Sequence, residues 1–200
     1  MLGHPISILD IGGGFMNSTP QKFLKVGNFI ENTLSSCFEG VSLTVIAEPG
    51  RFLVTDAQYV VACVSQVVLK SVNEDLPTSY SIFINDGVYG TFNFVLTEQR
   101  KVQGKPLLKR EGSMRADIWG PTCCSFDIIE SDRRISTVHE GDWILYPQCG
   151  AYSTCLSTHF NGFYPPNMLY TISASNWTTV ANALRGNLKE VISDRISSKM

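Results

Sequence analysis

The chain has 200 residues, and 16 Lys and Arg stand against 18 Asp and Glu for a formal charge of −2. That balance excludes a basic nucleic-acid binder or a membrane-surface protein. A content of 44% hydrophobic and 17% charged residues excludes a disordered chain.

No apolar stretch nears the roughly 20 residues of a membrane-spanning helix. Cys37, Cys63, Cys123, Cys124, Cys149 and Cys155 include no CxxC pair, and the distant His4, His139 and His159 complete no metal site with them. The first residues show no secretory pattern, so the thiols are expected reduced and the chain cytoplasmic.

Ile6–Ile11 is a short apolar run that reads as a buried strand, and it ends in Gly12-Gly13-Gly14. Ser18-Thr19-Pro20 supplies a helix cap and a first-turn proline. Phe23, Val26, Ile30, Leu34 and Cys37 follow at helical spacing, and Gly40 closes the helix. Val41–Ala47 is a second strand, ending in Glu48-Pro49-Gly50-Arg51. Strand, helix, strand at this length is a βαβ unit with parallel strands. It sets the triple glycine and the Glu-Pro-Gly-Arg turn at the same carboxyl edge, where α/β proteins bind ligands. One such unit is too small a parallel sheet to stand alone, so residues 1–55 read as the end of a larger α/β domain.

Beyond residue 55 the pattern changes. Tyr59–Leu69 reads as a valine-rich strand and 71–79 as a loop. Further short strands are predicted at 80–84, 90–96, 115–119, 143–146 and 168–172, as in an antiparallel sandwich or barrel. A final helix is predicted over Val180–Ile196, with Leu184, Leu188, Val191 and Ile192 on one face.

Several of these turns carry reactive groups. Glycines after a strand let backbone N–H groups approach a phosphate, though a tight βα turn needs them too. Arg51 has the planar fork that matches a phosphate, and Glu48 ends a strand. An Arg51–Glu48 ion pair closing the sheet edge is the alternative. Trp119-Gly-Pro-Thr-Cys-Cys124 presents two thiols, which are equally compatible with inert packing.

Seven motifs occur in order: Leu9-Asp-Ile-Gly-Gly-Gly-Phe15, Ala47-Glu-Pro-Gly-Arg51, Asn85-Asp-Gly-Val-Tyr-Gly-Thr-Phe-Asn93, Trp119-Gly-Pro-Thr-Cys123, Gly141-Asp-Trp143, Gly150-Ala-Tyr152 and Phe160-Asn-Gly-Phe163. Together they resemble the C-terminal half of the ornithine decarboxylase and antizyme inhibitor family over about residues 1–175. The resemblance implies a pyridoxal-phosphate decarboxylase of polyamine synthesis, working as a homodimer with shared active sites. Antizyme is a further candidate partner. It implies an α/β plus all-β fold: the last units of an alanine-racemase-like TIM barrel (1–55), an antiparallel β-sandwich or barrel domain (56–175) and a helical tail (176–200).

Carried over by motif, Gly12, Gly13, Gly14, Arg51 and Tyr152 would hold the cofactor phosphate. Glu48 would face the pyridine nitrogen and keep it protonated. Cys123 would be the catalytic thiol, reaching the site of the partner subunit to deliver a proton. Tyr89 and Phe160 match residues of the interface active site. Two positions depart from the family. Its substrate-binding aspartate after the cysteine is Cys124 here, and a second aspartate aligns with Glu98. A cationic substrate end would lose a partner, so ornithine and lysine are expected to bind poorly. None of the eight lysines sits in the context of the family's cofactor-linking lysine. The chain alone is therefore expected to be inactive, and an antizyme-inhibitor-like binding role is the alternative.

Overall fold

The computed structural model describes residues 6–16, 19–71 and 78–184. Two compact units make up the chain, residues 1–166 and residues 167–200.

The first unit opens with the expected βαβ element. Strands β1 (Ile8–Asp10) and β2 (Thr44–Ile46) pair in parallel with Leu9 opposite Val45, and helix α1 (Pro20–Cys37) connects them. The Thr19 hydroxyl accepts the Lys22 N–H, and Pro20 opens the first turn where its missing N–H costs nothing. Ser18 lies outside the described residues. The helix ends with the Phe38 N–H on the Leu34 carbonyl, and Gly40 follows at φ +74°.

The apolar stripe of α1 is covered less than its spacing predicts. No residue of the helix is buried, and Val26 remains exposed. A two-stranded sheet offers too little apolar area to cover 18 helical residues. The firm contact is Phe23, whose ring stacks on Phe52 at 4.6 Å. Phe52 lies in the short helix α2 (Gly50–Val54), so this stack docks α1 beside the Arg51 turn.

A six-stranded sheet follows. Its strands are β3 (Val60–Ser71), β4 (Ser79–Ile84), β5 (Lys105–Pro106), β6 (Ser113–Trp119), β7 (Ile128–Ser136) and β8 (Trp143–Tyr146). Their order is β5-β8-β3-β4-β6-β7. Pairing is antiparallel except between β4 and β6, where Ile82 sits opposite Ile118 in a parallel ladder. The edge strands β5 and β7 approach each other, so the sheet curls. Its concave face is filled by Val64, Ile82, Ile84, Ile118, Ile144 and Tyr146, with Phe92 and Phe94 packed over them.

The structure corrects four readings of the sequence. Residues 90–96 are not a strand: a turn leads into helix α3 (Asn93–Thr97). The Asp86 carboxylate captures the Thr91 N–H and hydroxyl, which closes a turn where alternation suggested extension. β7 and β5 were absent from the predicted strands. Residues 168–172, in the second unit, form no strand. That unit's helix α4 (Trp177–Leu184) starts before the predicted Val180. The predicted continuation over 185–196 and the loop positions 72–77 lie outside the described residues.

Candidate active site

The carboxyl edge of β1 and β2 forms a narrow turn. The Gly12 N–H donates to Asp10 Oδ1 at 2.7 Å, and the Glu48 N–H donates to the Gly12 carbonyl at 2.8 Å. A Cβ on Gly13 would come 3.0 Å from the Glu48 carbonyl oxygen, and Gly12 and Gly14 have φ of +68° and +84°. Glycine is what lets the two loops lie this close. The N–H of Gly12 is spent on Asp10. Those of Gly13 and Gly14 stay exposed, without a partner among the described residues.

Arg51, in the first turn of α2, is the cation of this edge. Its guanidinium lies 4.7 Å from the centre of the Tyr152 ring and pairs with the Glu98 carboxylate. Glu98 caps the C-terminus of α3, where its N–H bonds the Phe94 carbonyl. Tyr152 has a left-handed backbone, φ 54°, and half its surface is open. Its loop is pressed onto α2: the Gly150 N–H donates to the Thr55 carbonyl at 3.0 Å. A Cβ on Gly150 would come 1.7 Å from the Val54 carbonyl oxygen. The Arg51–Tyr152 contact thus joins residues from the two ends of the first unit.

A second group gathers around the Trp119–Cys124 turn. Cys123 is exposed, and the Asn161 amide reaches its sulfur at 3.7 Å. Cys124 is half-buried, with its sulfur 3.0 Å from the Tyr89 hydroxyl. The Tyr89 ring stacks on Phe160 at 4.2 Å. That hydrogen bond to Cys124 is the main reason the Tyr89 phenol titrates above its ordinary value, with burial and the thiol's charge adding to it.

Asp127 holds this group together, and the sequence reading did not single it out. Fully buried, it accepts the Val88 N–H at 2.8 Å, the Thr122 N–H at 3.0 Å and the Thr122 hydroxyl at 2.7 Å. One carboxylate therefore ties the Tyr89 turn to the Cys123–Cys124 turn. Asp86 fixes the other side of the Tyr89 turn, and burial raises its pKa against the hydrogen bonds from Thr91 and Gly87. The signal was present in Asn85-Asp86-Gly87 and in Asp127, but only folding shows which backbone groups they cap.

The eleven site residues predicted from sequence thus fall into two groups. Gly12, Gly13, Gly14, Glu48, Arg51, Glu98 and Tyr152 form one, and Tyr89, Cys123, Cys124 and Phe160 form the other. Glu98, expected to face a substrate, is turned onto Arg51. The first group fits the phosphate end of pyridoxal phosphate: two free glycine N–H groups, a guanidinium and an exposed phenol are donors of the right kind. Among the described residues no lysine hydrogen-bonds or pairs with Glu48, Arg51 or Tyr152, and Lys70 is engaged by Asp117.

Comparison with known proteins agrees with this chemistry. Residues 1–55 match the pyridoxal binding domain of the pyridoxal-dependent decarboxylases, and residues 52–150 match their C-terminal sheet domain. Ornithine decarboxylase of Caenorhabditis elegans is 33% identical over 91% of this chain and 46% of its own length. Antizyme inhibitor 2 of Xenopus laevis is 33% identical over 92% of this chain and 43% of its own. Among solved structures, the arginine decarboxylase of Paramecium bursaria Chlorella virus bound to agmatine superposes with a TM-score of 0.70 at 29% identity, over 80% of this chain and 43% of that one. The chain spans less than half the length of these relatives. Its fold is theirs, TIM-barrel units followed by the sheet domain. Two consecutive domains of one family account for residues 1–150, and the chain belongs to the pyridoxal-dependent decarboxylases, with ornithine decarboxylases and an antizyme inhibitor among its relatives.

Proposed function

We propose that this chain supplies the phosphate-binding and thiol-bearing parts of an amino-acid decarboxylase site of the ornithine decarboxylase type. The observation that carries the reading is Arg51 beside the Gly13–Glu48 turn and over the Tyr152 ring. Arg51 and the N–H groups of Gly13 and Gly14 bind the cofactor phosphate, and the Tyr152 hydroxyl donates to it. Gly12 shapes the turn. Glu48, whose carboxylate is exposed at the same edge, holds the pyridine-nitrogen proton. The bound pyridoxal ring supplies the electron sink for loss of carbon dioxide.

Cys123 donates a proton to the substrate α-carbon once carbon dioxide has left. Its group is separate from that of Arg51, which suits a thiol serving the site of a second copy in a homodimer. Tyr89 and Phe160 wall that thiol. Cys124 offers no charge to a cationic substrate end, so the site favours an amino acid with a less polar side chain. Six free thiols suit a reducing, cytoplasmic setting.

The chain alone carries no lysine in the cofactor-linking context. It therefore binds pyridoxal phosphate without turning over. The test is carbon dioxide release from labelled ornithine and leucine, by the chain alone and by the chain joined to the lysine-bearing barrel half of a relative. No release from the first, and leucine above ornithine in the second, is expected. Ornithine well above leucine would overturn the substrate reading.

A second reading is a non-catalytic binding protein like antizyme inhibitor. The observations favouring it are the 33% identity to antizyme inhibitor 2 and the occupation of Arg51 by Glu98. Titration with purified antizyme decides it: saturable binding supports this reading, and no binding removes it.

A further inference from the structure

We propose that Glu98 is the resident occupant of the phosphate site: it competes with the cofactor phosphate for Arg51, and phosphate binding sets it free. This inference rests on the reading of Arg51 as the phosphate-binding cation.

A guanidinium has two faces and five N–H donors in a planar fork. The Tyr152 ring lies against one face of Arg51, 4.7 Å from its centre. The Glu98 carboxylate takes one of those donors, the Nη2 N–H. A carboxylate on Nη2 denies a phosphate the bidentate grip that uses this donor, so the two anions compete for Arg51. The pair is sheltered, with the Arg51 side chain 17% and the Glu98 side chain 26% exposed, so solvent screens it less than a surface pair.

The backbone under Glu98 is fixed. Its N–H bonds the carbonyl of Phe94, which is fully buried in the core, and Gln99 turns the chain away at φ 51°. Displacement is therefore a swing of the side chain and leaves the helix in place. A phosphate wins the contest because it carries close to two charges and can also use the free N–H groups of Gly13 and Gly14.

The test is calorimetric titration of pyridoxal phosphate, and of pyridoxal as the phosphate-free control, into the chain and into Glu98→Gln. With the competing charge gone, Glu98→Gln should bind pyridoxal phosphate about tenfold tighter, one charge-assisted contact's worth, with pyridoxal unchanged. Glu98→Asp, a methylene shorter, should tighten binding by less, and it carries the same test if the glutamine variant misfolds. Equal or weaker binding by both variants, where the unaltered chain binds, overturns the competition and leaves the phosphate site standing. Failure of all three proteins to prefer pyridoxal phosphate over pyridoxal overturns the phosphate site and the competition together.

Discussion

The Tyr89 hydroxyl sits 3.0 Å from the sulfur of Cys124, next to the exposed thiol of Cys123. The contact occupies Cys124 and leaves its neighbour open. Tyr89→Phe keeps the stack on Phe160 and deletes only the hydroxyl. Cys124 should then be alkylated several-fold faster, with Cys123 little changed. Peptide mapping after timed iodoacetamide treatment reads both rates. An unchanged Cys124 rate would mean that packing protects this thiol.

Gly150 is held where no side chain fits, because a Cβ would lie 1.7 Å from the Val54 carbonyl oxygen. Gly150→Ala must push the Tyr152 loop off α2, at a cost of about 1–3 kcal/mol. Urea unfolding should show a lower midpoint, and pyridoxal phosphate should bind more weakly as Tyr152 leaves Arg51. An unshifted midpoint would mean that the loop relaxes freely.

These contacts also show what a sequence can and cannot reveal. The βαβ element was legible because Thr19 and Pro20 mark a helix start and apolar runs flank it. The thiols and Arg51 stood out by motif. The stretch 90–96 was misread because Thr91, Phe92 and Phe94 are all buried, and their near-alternation imitates a strand. The deciding force is the Asp86 carboxylate, five residues before Thr91. β7 hid behind Glu130, Asp132, Arg133 and Arg134, and Asp132 at φ 52° breaks its alternation. The Arg51–Glu98 pair spans 47 residues and follows no local period, so only the fold displays it.

Asp142 gives the stability a pH dependence of known sign. Burial opposes its charge, but the His139 N–H and the Arg110 guanidinium outweigh it, and its pKa falls below the ordinary 3.8. A carboxylate lowered on folding stabilises the native state above its unfolded pKa. That contribution is lost as pH falls through the folded value. Asp142→Asn should therefore be less stable than the unaltered chain at neutral pH, with the gap closing below pH 3.8. Urea midpoints across that range check it, and a gap independent of pH would contradict it.

The thiols should react in an order set by burial. Cys149 is fully buried, and burial pushes its pKa to about 11. Its thiolate is scarce near neutrality, so it should be the last of the six cysteines to be alkylated in the folded chain. Mass spectrometry of partly labelled protein reads the order. Early labelling of Cys149 would show that the strand beneath it opens readily.

The central claim is that Arg51 holds the phosphate of pyridoxal phosphate. Equilibrium titration of that cofactor into the chain and into Arg51→Met tests it most directly. The account predicts saturable binding by the chain, stronger than that of pyridoxal, and loss of that preference in Arg51→Met. Equal binding of pyridoxal phosphate by both proteins would contradict it.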